Sequence, residues 1–433
     1  MRSVRLITIC KLTLFVFSFF YISTFRTQAQ ENSPYSRYGL GDVLPSENIV
    51  NRSMGGLSIP YRDFQSVNFV NPASLSWLKV TTLDIGVNYS TRTLRTVDPP
   101  QKFKSAYLIP TYLQLGIPLS RKGHWGMTGG IRQLTRIGYN LGTRTRIQGI
   151  DSVFYNYEGN GGSYQAFLGT GFGNKKISFG FNVGYMFGNK QYSTKVNFVN
   201  DTVPYKKTNS SDTTRFGGIF VNAGLQYTVN IGKSTFLRLG LTGSLNNKLK
   251  AQRDITRETY ESGVNGPIVI DSIYREANVE GTIIYPGSYG GGFMIEREEK
   301  WQFGAEYSTT KWSSYRYYDQ EDQLKDSWTV RVGGQIIPDL TNKKYWSRVM
   351  YRLGFSYGAD YVNVGESFNQ YLFTFGAGLP VRRSYYTNQY TTINLGFEVG
   401  ARGSKSNALR ENIFRVCLGL NLSDIWFNKR EYQ

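Results

Sequence analysis

The sequence predicts an all-β fold, a membrane-spanning antiparallel barrel of about 14 strands with an N-terminal segment held inside it, and three observations carry that expectation. From about residue 80 to the C-terminus, short runs alternate apolar and polar side chains with a period of two, so that one face of each run meets an apolar medium and the other does not. The runs are joined alternately by tight and by longer connections, which suits a wall between two unlike sides. Aromatic residues reach 15% (32 Tyr, 27 Phe, 7 Trp), as expected where rings anchor strand ends at two interfaces. The mean hydropathy lies below zero, and beyond the extreme N-terminus no apolar run is long enough to cross a bilayer as a helix. A barrel reconciles these facts, since only every second residue faces lipid.

Residues 1–29 read as a signal peptide: Arg2, Arg5 and Lys11 are basic, 12–22 is largely apolar, and Thr27-Gln28-Ala29 is a small-x-small site. Cys10 precedes the apolar stretch, which argues against a lipoprotein anchor, and its removal leaves Cys417 with no disulfide partner. Residues 30–81 are irregular and rich in Gly, Pro, Ser and Asn, a length of loop chemistry that needs a location. Barrel is expected over 82–427, with a short periplasmic tail at 428–433. The first strand is explicit: Leu83, Ile85, Val87 and Tyr89 alternate with Asp84, Gly86, Asn88 and Ser90. Further strands are expected near 106–119, 125–139, 167–172, from 177, 217–229, from 235, to 296, from 301, 327–337, 351–361, 372–381, 390–400 and 412–422. In the run from 177, Phe179, Phe181, Val183, Tyr185 and Phe187 form a lipid-facing ribbon.

Every second connection is tight: 121–124, 173–176, 230–234 and 297–300 are assigned to the periplasmic side. Segments 140–163, 200–216, 256–272 and 311–326 are read as longer external connections, while 338–350 breaks the rule. Many glycines within the strands fit close packing of an inward plug against the wall.

Removing the four basic residues of 1–29 leaves 46 basic against 31 acidic side chains, a mature charge of +15. In an exported chain this excess points to a cationic lumen or rim facing anionic amphiphiles or lipopolysaccharide, or simply to scattered solvated charge, and not to nucleic acid. His124 is the single histidine and sits in an expected turn, so a Ser/His/acid arrangement has no basis and no enzyme activity is expected. One histidine and one mature cysteine make no zinc site, and Asp319, Glu321 and Asp322 read as solvated. Neither metal nor cofactor is expected.

At Met54-Gly55-Gly56, Asp63 and Asn68-Phe69-Val70-Asn71-Pro72-Ala73-Ser74-Leu75, just before the first strand, the chain resembles the FadL family (OmpP1/FadL/TodX type) of outer-membrane transporters for hydrophobic compounds. The resemblance implies a 14-stranded barrel in the outer membrane of a Gram-negative cell, an N-terminal hatch bearing Asn-Pro-Ala, and hydrophobic or anionic amphiphilic cargo beside outer-membrane lipid. The start at 33–39 and the ending at 420–430 look like a Bacteroidota branch. There one FadL-like relative is an attachment component of type IX secretion, which keeps a non-transporting scaffold open as the alternative.

Met54, Gly55, Gly56, Asn71, Pro72 and Ala73 are therefore the hatch or ligand-gating candidates. Gly55 and Gly56 can take backbone angles closed to other residues, and Pro72 restricts Asn71 to extended conformations; the same residues also suit ordinary turns. The family uses a strand distortion as a lateral exit. Pro110 and Pro286, each removing a ladder donor inside an expected strand, are the candidates for such a gap, or else mark simple bulges. Arg331, Arg352 and Arg415 lie in expected strands, with their facing open.

Overall fold

The computed structural model describes residues 33–426, apart from 98–99, 121–123, 149–150, 200–205, 264–265, 299, 340, 366–367, 382–389 and 405. The expected signal peptide, most of the turn 121–124 and the tail at 428–433 lie outside the described residues. Fourteen antiparallel wall strands follow one another around a closed barrel. They are β1 (Thr81–Thr96), β2 (Lys102–Ser120), β3 (Trp125–Ile147), β4 (Asp151–Gly173), β5 (Ile177–Phe198), β6 (Lys207–Asn230), β7 (Thr235–Ser244 continued by Asn247–Gly263) and β8 (Gly266–Tyr285 continued by Ser288–Arg297). The rest are β9 (Trp301–Thr310), β10 (Ser327–Ile336), β11 (Met350–Ala359), β12 (Asn369–Pro380), β13 (Tyr390–Arg402) and β14 (Leu409–Asp424). Closure is direct: β14 pairs with β1 over its full length, from Leu409 opposite Thr96 to Asp424 opposite Thr81. Closing the sheet leaves no edge in the apolar belt, the condition under which strands cross a bilayer.

Period two decides the two faces. In β5, Phe179, Phe181, Val183, Tyr185 and Phe187 are exposed on the outside, whereas Ser178, Asn182, Met186 and Lys190, at the even positions, are buried. In β1 the buried set is Asp84, Asn88, Ser90 and Arg92. The inside of the wall is thus polar and charged, and the outside is apolar.

The wall is uneven in height. Strands β3 to β8 run 20 residues or more, against 10 in β9, β10 and β11. This corrects three expected connections. The segment 140–163 is not a hairpin tip but the upper halves of β3 and β4, and 207–216 and 256–272 likewise belong to paired strands. Above the apolar belt these strands lose the apolar-polar alternation but keep Thr, Tyr, Val and Arg in cross-strand register, which suffices to extend the ladder. On the low side, segments 311–326 and 360–365 fold back over the mouth and bond to each other. There Trp312 stacks on Tyr361 with ring centroids 4.6 Å apart, and Tyr35 meets Phe368 at 4.6 Å. These rings join Leu40, Phe69, Phe167 and Phe220 in the largest apolar cluster, which fills the upper lumen.

Residues 33–80 lie inside the barrel. Their local structure comes from side chains that turn the chain without a ladder. Asn48 caps the short helix α1 (Ile49–Arg52) by accepting from the Asn51 amide at 2.9 Å, and donates to the Val67 carbonyl at 2.7 Å. Gly55 and Gly56 take φ of +73° and +87°, angles open to glycine at little cost. Asn71 is extended (φ −125°, ψ 98°) ahead of the 3-10 turn Pro72–Trp77, the conformation Pro72 imposes on it.

Candidate functional site

The plug is seated on the wall by two kinds of contact. Gly126, Gly171, Gly180 and Gly224 stand opposite one another in register on β3, β4, β5 and β6. A Cβ on any of the four would strike Leu75, Pro72 or Asn71 of the plug, mostly at backbone atoms. Gly333 and Gly354, register partners on β10 and β11, receive the backbone at Met54 and Gly55 in the same way. These glycines make a seat in which the plug backbone touches the wall with no side chain between.

The second contact is ionic. Asp42 binds Arg92 Nη1 at 2.5 Å and Arg402 Nη1 at 2.8 Å, and Arg402 continues to Asp360 at 2.7 Å. Burial alone would raise the Asp42 carboxyl, but the Arg402 and Arg92 guanidiniums outweigh it and hold it down to about 2. Arg52 donates to Glu398 at 2.7 Å, and Arg415 reaches the other oxygen of Glu398 at 3.0 Å. Glu47 pairs with Arg331 at 3.3 Å, while Glu306 accepts from the Ser58 and Ile59 amides at 2.7 Å each. Arg331, Arg352 and Arg415 therefore all face inward. Arg352 is held by Gln335 and Asn394 at 2.6 and 2.7 Å.

The site candidates read from the sequence fall as follows. Met54, Asn71 and Ala73 are buried within the plug. Asn71 Oδ1 accepts from the Ala73 amide at 3.1 Å, and its Nδ2 donates to the Ile59 carbonyl at 2.7 Å. Pro72 rests on the glycine row. Gly55 donates to Thr374 Oγ1 at 2.7 Å, and Gly56 lies against the Arg331 side chain. Only Gly55 and Gly56 of the six line the cavity between plug and wall.

That cavity, of about 370 Å³, lies between plug and wall. One side carries Glu47, Arg52, Arg92, Glu306, Arg331, Glu398 and Arg402; the other carries Phe69, Leu134, Phe220, Tyr285 and Trp312. Between the two sides stands Arg132, whose guanidinium lies 3.5 Å over the Phe69 ring and is bound by Gln165 and the Ser46 carbonyl. Sequence reasoning missed Arg132 and Phe69 as neighbours, because they come from strand and plug positions 63 residues apart and no local spacing joins them.

The cavity adjoins a parting in the wall. β2 and β3 pair from Ser120/Trp125 up to Tyr112/Arg132 and no further. Above that level β2 pairs only with β1, and β3 with β4. Pro110, with no amide hydrogen, stands two residues above the last pair, next to a register shift opposite Gly86/Val87. The vacated edge of β3 is taken by the two-residue plug strand Asp42–Val43, with Val43 opposite Thr135 and Asp42 opposite Arg136. Leu44 extends the contact to the Leu134 carbonyl at 2.9 Å and packs on Tyr107 and Ile109 of β2. Pro286 behaves differently. It stands between the two halves of β8, not within a strand, and the wall stays paired on either side through Tyr285/Asn247 and Ser288/Ser244.

No curated protein matches the chain. Among solved structures, the barrel is similar to a Pseudomonas aeruginosa FadL homologue (13% identity, TM-score 0.57, 89% of this chain and 99% of that one). It is similar to the Pseudomonas putida toluene transporter TodX (14%, 0.53, 88% and 99%) and the Ralstonia pickettii toluene transporter TbuX (12%, 0.56, 87% and 98%). At these identities the likeness establishes the fold, a FadL/TodX-type barrel. The profile of the BamG family matches residues 9–433, nearly the whole sequence, and the chain belongs to that family.

Proposed function

We propose that this barrel resides in the outer membrane, exported by a signal peptide at residues 1–29, and that it binds hydrophobic or amphiphilic small molecules and passes them sideways between β2 and β3. The observation that carries the reading is the half-charged, half-aromatic cavity beside a parted seam whose β3 edge is covered by the plug, at Asp42–Val43 and again at Leu44 and Ser33. An amphiphile matches both sides of such a cavity. The straight axial route is obstructed by the plug on its glycine seat, so displacement of Asp42–Val43 from β3 is the step that would connect cavity and lipid. In this reading Met54, Gly55, Gly56, Asn71, Pro72 and Ala73 anchor the gate, and Pro110 ends the seam.

The test is a disulfide lock. Val43→Cys with Thr135→Cys, register partners, joins the plug strand to β3. A deletion strain carrying this variant should take up a fluorescent long-chain fatty acid when reduced and lose at least about tenfold of the rate when oxidised, since the competent state is then removed. Uptake unaffected by the lock refutes the lateral route; no uptake in any form, with no amphiphile copurifying, refutes transport.

A second reading, a non-transporting partner of an outer-membrane secretion or assembly complex such as type IX secretion, draws on the tall side of the barrel. There 268–277 of β8 pairs on one edge only, with Ile268, Ile270, Ile273 and Tyr274 exposed, a template for strand addition. Affinity purification from native membranes discriminates: a stoichiometric protein lost when these four residues become Ser or Thr supports the scaffold.

A further inference from the structure

The outer face of three neighbouring strands carries a ladder of cations that nothing described so far uses. Cross-strand register places Arg410 of β14 beside Arg95 of β1, and Arg95 beside Lys102 of β2. In the next outward row Asn412, Thr93 and Lys104 stand side by side. The rows below turn apolar: Phe414, Thr91 and Ala106, then Val416, Tyr89 and Leu108. Their facing follows from alternation, because Glu411, Ile413, Leu94, Ser105 and Tyr107 between them are buried in the interior. The cations thus sit on the lipid side of the wall, just above the point where it becomes apolar, at the level of headgroups.

Like charges directly opposite each other on neighbouring strands are destabilising. Four other cations of the upper wall and its loops are each paired with a carboxylate: Lys195 with Glu158, Arg253 with Asp212, Lys311 with Asp326 and Arg316 with Glu321. Among the described residues, Arg95, Lys102, Lys104 and Arg410 have no such partner. The Nε of Arg410 is buried without a hydrogen-bond acceptor. Adjacent strands lie about 4.8 Å apart, so three long side chains across about 10 Å are within reach of one phosphate-sized anion.

The geometry points to Arg95, Lys102 and Arg410, with Lys104 beneath, as a binding site for a phosphate-bearing lipid headgroup of the surrounding leaflet. The phosphate removes the mutual repulsion of the row, while the acyl chains lie on Phe414, Tyr89 and Leu108. The bound lipid would stand beside the parted β2–β3 seam, with β2 common to both, though the site does not depend on transport.

Native mass spectrometry of the full chain, titrated with lipid A and with the same lipid dephosphorylated, tests this. The unaltered protein should retain the phosphorylated form at least about tenfold better, with the preference falling as salt is added. R95Q/K102Q/R410Q should reduce it to less than about twofold, while the charge-preserving R95K/K102R/R410K and the distant K343Q/K344Q leave it intact. Equal retention of both lipids by the unaltered protein, a preference indifferent to salt, or an undiminished preference in the glutamine variant overturns the proposal.

Discussion

The plug meets opposite walls of the lumen through different chemistry. Toward β3 to β6 the turn at Pro72–Trp77 lies with its backbone on Gly126, Gly171 and Gly180, and the Asn71 side chain rests on Gly224 beside them. Toward β13, β14 and β1, residues 42–52 are tied by buried guanidinium and carboxylate pairs. Contact over glycine is short-ranged and tolerates no added volume. Buried ion pairs depend on each partner being present and charged, and an uncompensated survivor costs more than the pair contributes. One wall therefore fixes position by shape, and the other holds by charge adjacent to the seam.

Three perturbations separate these holds. Arg402→Ala should act most strongly, because it removes a guanidinium shared by Asp42 and Asp360 and leaves Asp360 buried without that partner while Asp42 keeps only Arg92; a loss of about 3–5 kcal/mol is expected. It would be read as a lowered temperature of heat-modifiable gel migration, and an unchanged transition would break the ionic half of the comparison. Gly180→Leu should cost about 1–3 kcal/mol by driving a side chain into Pro72, with protease cleavage within residues 54–80 where the unaltered chain resists it. Gly180→Ala should do less. Acid should weaken only the ionic wall. The Asp42 carboxyl is held below its usual 3.8, to about 2, so the stability it contributes is complete above about pH 4. That stability falls as pH drops toward 2, on the order of 2 kcal/mol in all. Hydrogen exchange of residues 42–44 should rise over that window and not in Asp42→Asn, while residues 72–77 stay protected; parallel loss in both segments would show a single hold.

The barrel was legible because hydrocarbon enforces period two on every wall strand: 83–89 and 179–187 could be assigned to their outer face from the residues alone. The interior location of 33–80 was also accessible, since so much turn chemistry before a closed barrel has few places to go, and the strand glycines pointed to close packing. The height of β3 to β8 was not, because above the membrane Thr, Arg and Tyr in register resemble loop polarity when read singly. Nor were the ion pairs, whose partners are as distant as Asp42 and Arg402, 360 residues apart. Pro110 and Pro286 looked equivalent; only pairing tells the strand that parts from its neighbour from the one that stays joined.

Ser33 Oγ donates to Glu411 Oε1 at 2.6 Å, and that bond constrains the order of assembly. The earliest described residue of the chain rests on the last strand to be synthesised. The interior segment cannot complete its contacts until β14 has arrived. During assembly the N-terminal portion therefore waits for the C-terminal one before its last contacts can form.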